Sequence, residues 1–519
     1  MRDLSWQLFA LWGRFLIYEY YLVLRKTKDE TEQMSSILFS HSYFLRFDPK
    51  QWQTEQPYPP LGTLYAASLM RENGFDVSFF DPMFAYQSDE VLTYIEKYKP
   101  EFFVIYDDGF NYLTKMCLTN MREAAFRMCR IAKQKGCTVI ISSSDSTDHF
   151  EKYLDEGADF VLIGEAEFTL LELIQAFKRD EKDFLSIQGL AFRQNEHIIK
   201  TTRRSVIKNL DELPFPAWDL IDIKPYKKMW MKSSGYFSLN MGTTRGCPFK
   251  CNWCAKPIYG NRYNSRSPGN VVKELRWLKE KFQFDHIWFC DDIFGLKPGW
   301  VSEFADLIEM ENLHFKFKIQ ARADLLLQED NIKNLARAGC DNIWMGAESG
   351  SQKILDAMDK GTTVQQIFSA VKLLKKNRIK PSFFIQFGYP GETKDDIRKT
   401  IKMINELLPY SIGISVSYPL PGTAFFEKVK DELKEKSNWS DSDELALMFR
   451  NTYPPSFYKQ LHRFVHKDYR KYLAFENVRK ILSDPSSLTL KTLKKAVSIV
   501  YYVPAAFIAK QKLWAIEKF

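Results

Sequence analysis

Twice along this chain, short apolar runs alternate with amphipathic helical segments, and that rhythm limits the fold more than any other feature. In the first series the strand-like runs are 36–40, 75–80, 102–106, 138–142 and 160–163, with helical patterns at 61–71, 89–98, 119–135, 146–155 and 167–177. Such alternation predicts a parallel, doubly wound α/β sheet covered on both faces. Ligands of these sheets lie beyond the carboxyl ends of the strands, here the loops 40–43, 107–112, 142–145 and 164–167. The second series runs from Phe237 to Pro421, with strands at 236–241, 286–290, 315–320, 342–346, 382–387 and 413–418. Its helices are expected at 270–281, 300–310, 332–338, 363–376 and 394–407. Six strands on this rhythm match a partial (β/α)6 barrel, whose chemistry sits at the C-terminal strand ends. Asp291, Asp292, Arg322, Glu348, Ser349, Gln386 and Tyr418 fall there. An acid at a strand end is often only the cap of the next helix, and Asp292 fits that use too.

A chain of 519 residues exceeds one ordinary core. The pattern divides it into an N-terminal amphipathic helix (1–34), a Rossmann-like unit (35–180), a linker with a hairpin at 190–192 and 197–200 (181–235), the barrel (236–425) and a helical cap or extension (426–519). The net charge of +8 weakly favours anionic surfaces. Eight cysteines without paired spacing, and no signal peptide, point to a reducing cytoplasm. Residues 3–25 are mostly apolar, with Asp3, Gln7, Arg14 and Arg25 on one face. They suit either a membrane interface or the protein's own core. Residues 496–509 are apolar but short for a bilayer span, and Lys491, Lys494, Lys495, Lys510 and Lys512 flank them. Apolar residues ringed by lysine suit an anionic membrane surface, so peripheral contact on the inner face is expected at both chain ends. Residues 449–458 and 461–466 carry aromatics and histidines, as either a cap over the barrel mouth or an outer brace.

The chemistry-bearing motif is Met241-Gly242-Thr243-Thr244-Arg245-Gly246-Cys247-Pro248-Phe249-Lys250-Cys251-Asn252-Trp253-Cys254, directly after the first barrel strand. Three of the eight cysteines fall within eight residues, in C-x-x-x-C-x-x-C spacing. Iron–sulfur cubes are held by cysteine thiolates, normally four, so three leave one iron open. A structural zinc site also wants four ligands, and the nearest histidine is the distant His286.

This motif, with a strand before it and an aromatic between its last two cysteines, resembles the radical S-adenosylmethionine (SAM) superfamily. The resemblance implies a 4Fe-4S cluster on Cys247, Cys251 and Cys254, with SAM on the open iron, cleaved by one electron to a 5′-deoxyadenosyl radical. It further implies that Gly346-Ala347-Glu348-Ser349-Gly350-Ser351 and Gln386 help hold SAM, with Glu348 on its polar groups and Arg322 near its carboxylate. Phe289-Cys290-Asp291-Asp292 takes the place of the family's motif for the SAM amino group, although no G-G-E is present. Cys290 and Cys340 read as packed thiols.

Pro59-Pro60-Leu61-Gly62-Thr63-Leu64-Tyr65, Asn73-Gly74-Phe75-Asp76-Val77 and Gly164-Glu165-Ala166-Glu167 resemble the cobalamin-binding domain that precedes many radical SAM domains. Cobalamin would then meet Ser142, Ser143, Gly164 and Glu165. No D-x-H-x-x-G loop is present and His41 lacks that context, so no histidine is expected below the cobalt. A Rossmann-like unit that binds nothing is the plain alternative. The resemblance spans roughly 36–466 and is nearest the methyltransferase and cyclase branch. It implies a C-methyltransferase acting on an unactivated carbon of an apolar, lipid-like or other small molecule, fed by a reducing protein such as ferredoxin or flavodoxin. A cyclase or rearrangement enzyme without methyl transfer, and a non-enzymatic cluster or cobalamin sensor, are the alternatives. No nucleic-acid partner is expected, since the C-terminus lacks a basic barrel-like module.

Overall fold

A computed structural model describes residues 36–517 except Pro257, Glu329 and residues 434–437. The helix expected at 3–25 lies outside the described residues.

The first series forms one sheet from β1 (Ile37–Ser40), β2 (Val77–Phe79), β3 (Phe102–Tyr106), β4 (Thr138–Ser142), β5 (Phe160–Leu162), β6 (Leu190–Gln194) and β7 (His197–Lys200). Its order is β2-β1-β3-β4-β5-β6-β7. The strands through β5 are parallel, and the order reverses between β1 and β3, which puts the switch point beside Ser40 and Tyr106. The hairpin assigned to the linker instead extends this sheet, with β6 and β7 antiparallel. Leu190, Ala191 and Phe192 are buried while Arg193 and Gln194 are exposed, so only the inner half of β6 shows a core pattern in the sequence. Two clusters cover the sheet, one around Ile37, Phe39, Phe102 and Val104, the other around Leu38, Phe103, Ile105 and Ile141. Alternating side chains thus enter opposite cores, and the central strands β1, β3, β4 and β5 read as near-continuous apolar runs. The helix expected at 146–155 is two, Ser144–Asp148 and Phe150–Asp155, separated at His149.

The second series gives β8 (Ser238–Met241), a small antiparallel ribbon of β9 (Thr244–Arg245) and β10 (Asn264–Ser265), then β11 (His286–Phe289), β12 (Lys316–Ala321), β13 (Cys340–Glu348), β14 (Lys380–Phe387) and β15 (Ser411–Val416). The six barrel strands are all parallel and stand in chain order, β15-β14-β13-β12-β11-β8. Phe317, Ile319, Ile343, Met345, Phe383 and Ile385 are at most 1% exposed and form the outward core beneath the helices. Their strand neighbours face the inside of this half-barrel.

The C-terminal region divides its work. Residues 438–449 lie where the two sheets meet, with Trp439 buried against Tyr418 (ring centres 4.4 Å apart). The Trp439 carbonyl accepts from the Thr119 amide at 2.8 Å, and Ser442 Oγ donates to Asp48 at 2.9 Å. Asn451 donates to the Gly388 carbonyl just past β14 (2.5 Å). The long helix Pro455–Ser483 then runs along the barrel exterior, where Asn405 and Asp468 meet at 2.8 Å. Of the residues expected as either cap or brace, 455–458 and 461–466 belong to this outer helix. Helices Leu490–Val497 and Ile499–Glu517 fold back on it. The stretch Thr492–Ile516 is long and apolar enough to cross a membrane by length and composition alone, beyond the short run expected at 496–509.

Candidate active site

The cysteine loop hangs from a built frame. After β8, Asp291 Oδ1 accepts from the Thr243 and Thr244 amides (2.6 and 2.9 Å), and its Oδ2 accepts from the Thr243 hydroxyl. The β9–β10 ribbon closes the base of the loop. Gly246 turns with φ +79, and any side chain there would run into the Arg262 carbonyl. Burial pushes the Cys254 thiol up to about 12, with Asp292 and then the other two thiols adding to it, and burial also raises Cys247. A cluster is held by thiolates, so binding one must expel protons from Cys247 and Cys254.

The donor set suits a cube. Each thiolate of a cube takes a different iron, so the sulfurs stand apart rather than around one ion. Among the described residues no three His, Cys, Asp or Glu side chains gather around a single metal position. The other five cysteines are buried thiols elsewhere in the fold. Cys290 donates to the Met241 carbonyl at 3.3 Å.

Arg322, at the end of β12, stands over the Phe249 ring at 3.8 Å and within 3.8 Å of Cys251 Sγ. Asp324 holds its other edge at 3.0 and 3.1 Å. Glu348 ends β13 with φ +55, a conformation costly for a residue with a side chain, at a register shift against β14. Its carboxylate meets Lys360 Nζ at 2.8 Å. Burial opposes the Lys360 charge, yet Glu348 and the Cys251 sulfur hold its pKa above the usual lysine range. Gly346 makes room for this pair: a Cβ there would lie 2.6 Å from both Glu348 Oε1 and Lys360 Nζ. Lys360, which sequence reasoning missed, thus joins Arg322 and Glu348 beside the thiols.

The other strand-end residues are committed within the protein. Ser349 is buried, bonded to Thr400 Oγ1 at 3.0 Å and to the Ser351 amide at 3.1 Å. Gln386 donates to Ser417 at 2.9 Å. Asp292 pairs with Lys115 of the first sheet's unit at 2.7 Å. Ser142 is buried at the end of β4, and Ser143 caps Ser144–Asp148 through the Ser146 amide at 2.8 Å. Gly164, at φ +81, leaves the space an Arg203 guanidinium occupies, 3.0 Å from where a Cβ would be. His41 bonds Asp81 at 3.1 Å.

Glu165 reaches the cysteine loop itself. Arg245, two residues before Cys247, pairs with Glu165 at 2.5 Å and Glu167 at 2.8 Å. The second Glu165 oxygen accepts from the Ile207 amide at 2.6 Å. Tyr65, Phe110 and Tyr259 surround the guanidinium, with ring centres 5.2 to 5.6 Å away. All three charges are at most 5% exposed. The spacing carried no signal of this triad beyond an arginine beside the motif and two acids in a loop.

Comparison with known proteins finds related sequences and a related fold. Residues 241–404 match the model of the Radical SAM superfamily. The chain is 27% identical to an uncharacterized methyltransferase of Pyrococcus horikoshii, over 87% of this chain and 89% of that one. It is 25% identical to the anaerobic magnesium-protoporphyrin IX monomethyl ester cyclase of a Synechocystis strain, covering 63% of this chain and 64% of that enzyme. Among solved structures, the radical SAM methyltransferase TsrM of Kitasatospora setae, with cobalamin and a [4Fe-4S] cluster bound, superposes with TM-score 0.63 at 17% identity. That match covers 77% of this chain and 75% of TsrM.

Proposed function

We propose, from the radical SAM domain matched at residues 241–404, that this chain is a cobalamin-dependent methyltransferase acting on an unactivated carbon of an apolar small molecule. The bound groups would supply one-electron cleavage of SAM and donation of a methyl group. The chain's own part is to hold and orient them. Cys247, Cys251 and Cys254 would hold the cluster beside which SAM binds. Arg322 and the Glu348–Lys360 pair give the polar end of SAM one cationic and one anionic contact beside Cys251. Asp291 acts one layer further out, fixing the start of the loop. We read 35–180 as the cobalamin-binding unit and 236–425 as the barrel, with the strand-end loops of the first around Gly164 turned to the second. Residues 438–449 help exclude water at their junction. An apolar, lipid-like substrate, a ferredoxin or flavodoxin as donor, and a place in the reducing cytoplasm beside the membrane belong to the same reading.

The observation that carries it is a loop of three thiols, with Cys251 beside Arg322 and near the Glu348–Lys360 pair, at the mouth of a half-barrel docked on a doubly wound sheet. The test is anaerobic reconstitution with iron, sulfide and cobalamin, followed by reduction with SAM present. Matched amounts of 5′-deoxyadenosine, S-adenosylhomocysteine and methylated product support it; a cluster that never cleaves SAM removes it. The likeness to the cyclase favours a second reading, cobalamin-dependent ring closure without methyl transfer. Deoxyadenosine without S-adenosylhomocysteine would select that one.

A further inference from the structure

The inside of the half-barrel carries a cation with no anionic contact among the described residues. On β12, Phe317, Ile319 and Ala321 turn outward, so Lys318 and Gln320 face in. The Lys318 ammonium lies over Trp288 and Tyr58, 5.1 and 5.3 Å from their ring centres. Among the described residues it has no hydrogen-bonded or ion-paired acceptor. Asp341, whose field reaches it, is already shared by Lys380 at 2.9 Å and His286 at 3.7 Å. Lys318 is half-buried and desolvation pushes it down to about 8; a partly desolvated charge with no anionic contact is unfavourable, and such groups usually have partners.

The same inner face is open rather than filled. Trp344 and Phe384 stack with ring centres 4.8 Å apart, and Phe384 is 37% exposed in mid-strand, while its outward neighbours Phe383 and Ile385 are at most 1% exposed. Gly413 on β15 leaves the Trp344 ring its place, since a Cβ there would come within 3.2 Å. Lys318 sits about 13 Å along β12 from Arg322, at roughly 3.3 Å per residue.

We infer that Lys318 is an anion subsite for the substrate, binding the carboxylate of an elongated apolar or planar molecule whose body lies against Trp344 and Phe384. This deepens the proposed function by naming the substrate class, and it rests on that reading only for the word substrate.

Binding of matched probes tests it without any turnover. 1-Pyrenebutyrate, 1-pyrenebutanol and 1-pyrenebutyl phosphate would be titrated by fluorescence into the full-length protein at pH 7. The acid should bind at least tenfold tighter than the alcohol. Lys318→Met should lower the acid to the level of the alcohol and leave the alcohol unchanged, Lys318→Arg should keep the preference, and Trp344→Ala should weaken both. Tighter binding of the phosphate than the carboxylate would overturn the carboxylate assignment. Equal binding of acid and alcohol, or a preference that survives Lys318→Met in a protein of unchanged circular dichroism, would overturn the subsite. Failed SAM cleavage would touch only the proposed function, because these titrations need neither cluster nor SAM.

Discussion

Replacing Arg245 with Met should unseat the cysteine loop from the first sheet, and the triad's geometry sets the size of the effect. Glu165 and Glu167 sit on one guanidinium at 2.5 and 2.8 Å, all three nearly sealed from water. Removing one partner of a buried pair leaves uncompensated charge, a loss of about 3–5 kcal/mol. With a urea dependence near 3 kcal/mol per molar, the first unfolding midpoint of the apo protein should fall by about 1–2 M, read by tryptophan fluorescence. The signature is rescue. Arg245→Met combined with Glu165→Gln and Glu167→Gln buries no unpaired charge, and neutral replacement of a whole buried triad is often tolerated. The triple variant should therefore recover most of the lost midpoint and retain iron on reconstitution, while the single variant loses both. A single variant within about 0.5 kcal/mol of the parent, at the scale of ordinary surface changes, or a triple no better than the single, would refute the clamp.

Cys254→Ser should abolish cluster binding, seen as lost iron and visible absorbance, with the circular dichroism unchanged; retained iron would point to a different ligand set. Gly346→Ala places a methyl on the Glu348–Lys360 pair and should raise the KM for SAM by about tenfold, a loss near 1.4 kcal/mol. Burial pushes Glu392 up to about 8 in the folded state from an ordinary 4.5. Its stabilising share is whole below pH about 4.5 and fades as pH rises to about 8, so Glu392→Gln should flatten the fall in urea midpoint across that window; an unchanged slope would acquit Glu392. Val500, Phe507, Ile508 and Trp514 are exposed, and Lys510 and Lys512 beside them are exposed as well. Co-sedimentation with phosphatidylglycerol vesicles should weaken with salt and vanish in Lys510→Glu/Lys512→Glu, whereas no vesicle binding removes the membrane-side reading.

What the sequence showed was whatever repeats or clusters locally. Strand periodicity located every barrel strand to within a few residues, because each buries its outward face fully in an apolar run, as β13 does with Ile343 and Met345. The cysteine spacing stands out for the same reason: its ligands are near neighbours in the chain. Pairings across long separations left no trace. Arg245 finds Glu165 from 80 residues away, and Lys115 finds Asp292 from 177. Lys360 was invisible because its partner Glu348 lies 12 residues back, across the helix Gln352–Ala357. Strand-end acids such as Asp291 looked free for a ligand, but a carboxylate there can equally be used up by the amides of its own loop. Only coordinates separate those uses.

The strip from Asn438 to Phe449 has a consequence for biosynthesis. It is translated after both sheets, yet it lies between them, tied to Thr119 on one side and Tyr418 on the other. A nascent chain with both sheets formed still lacks its final seal, and in that interval a bulky corrinoid could be seated without unfolding anything.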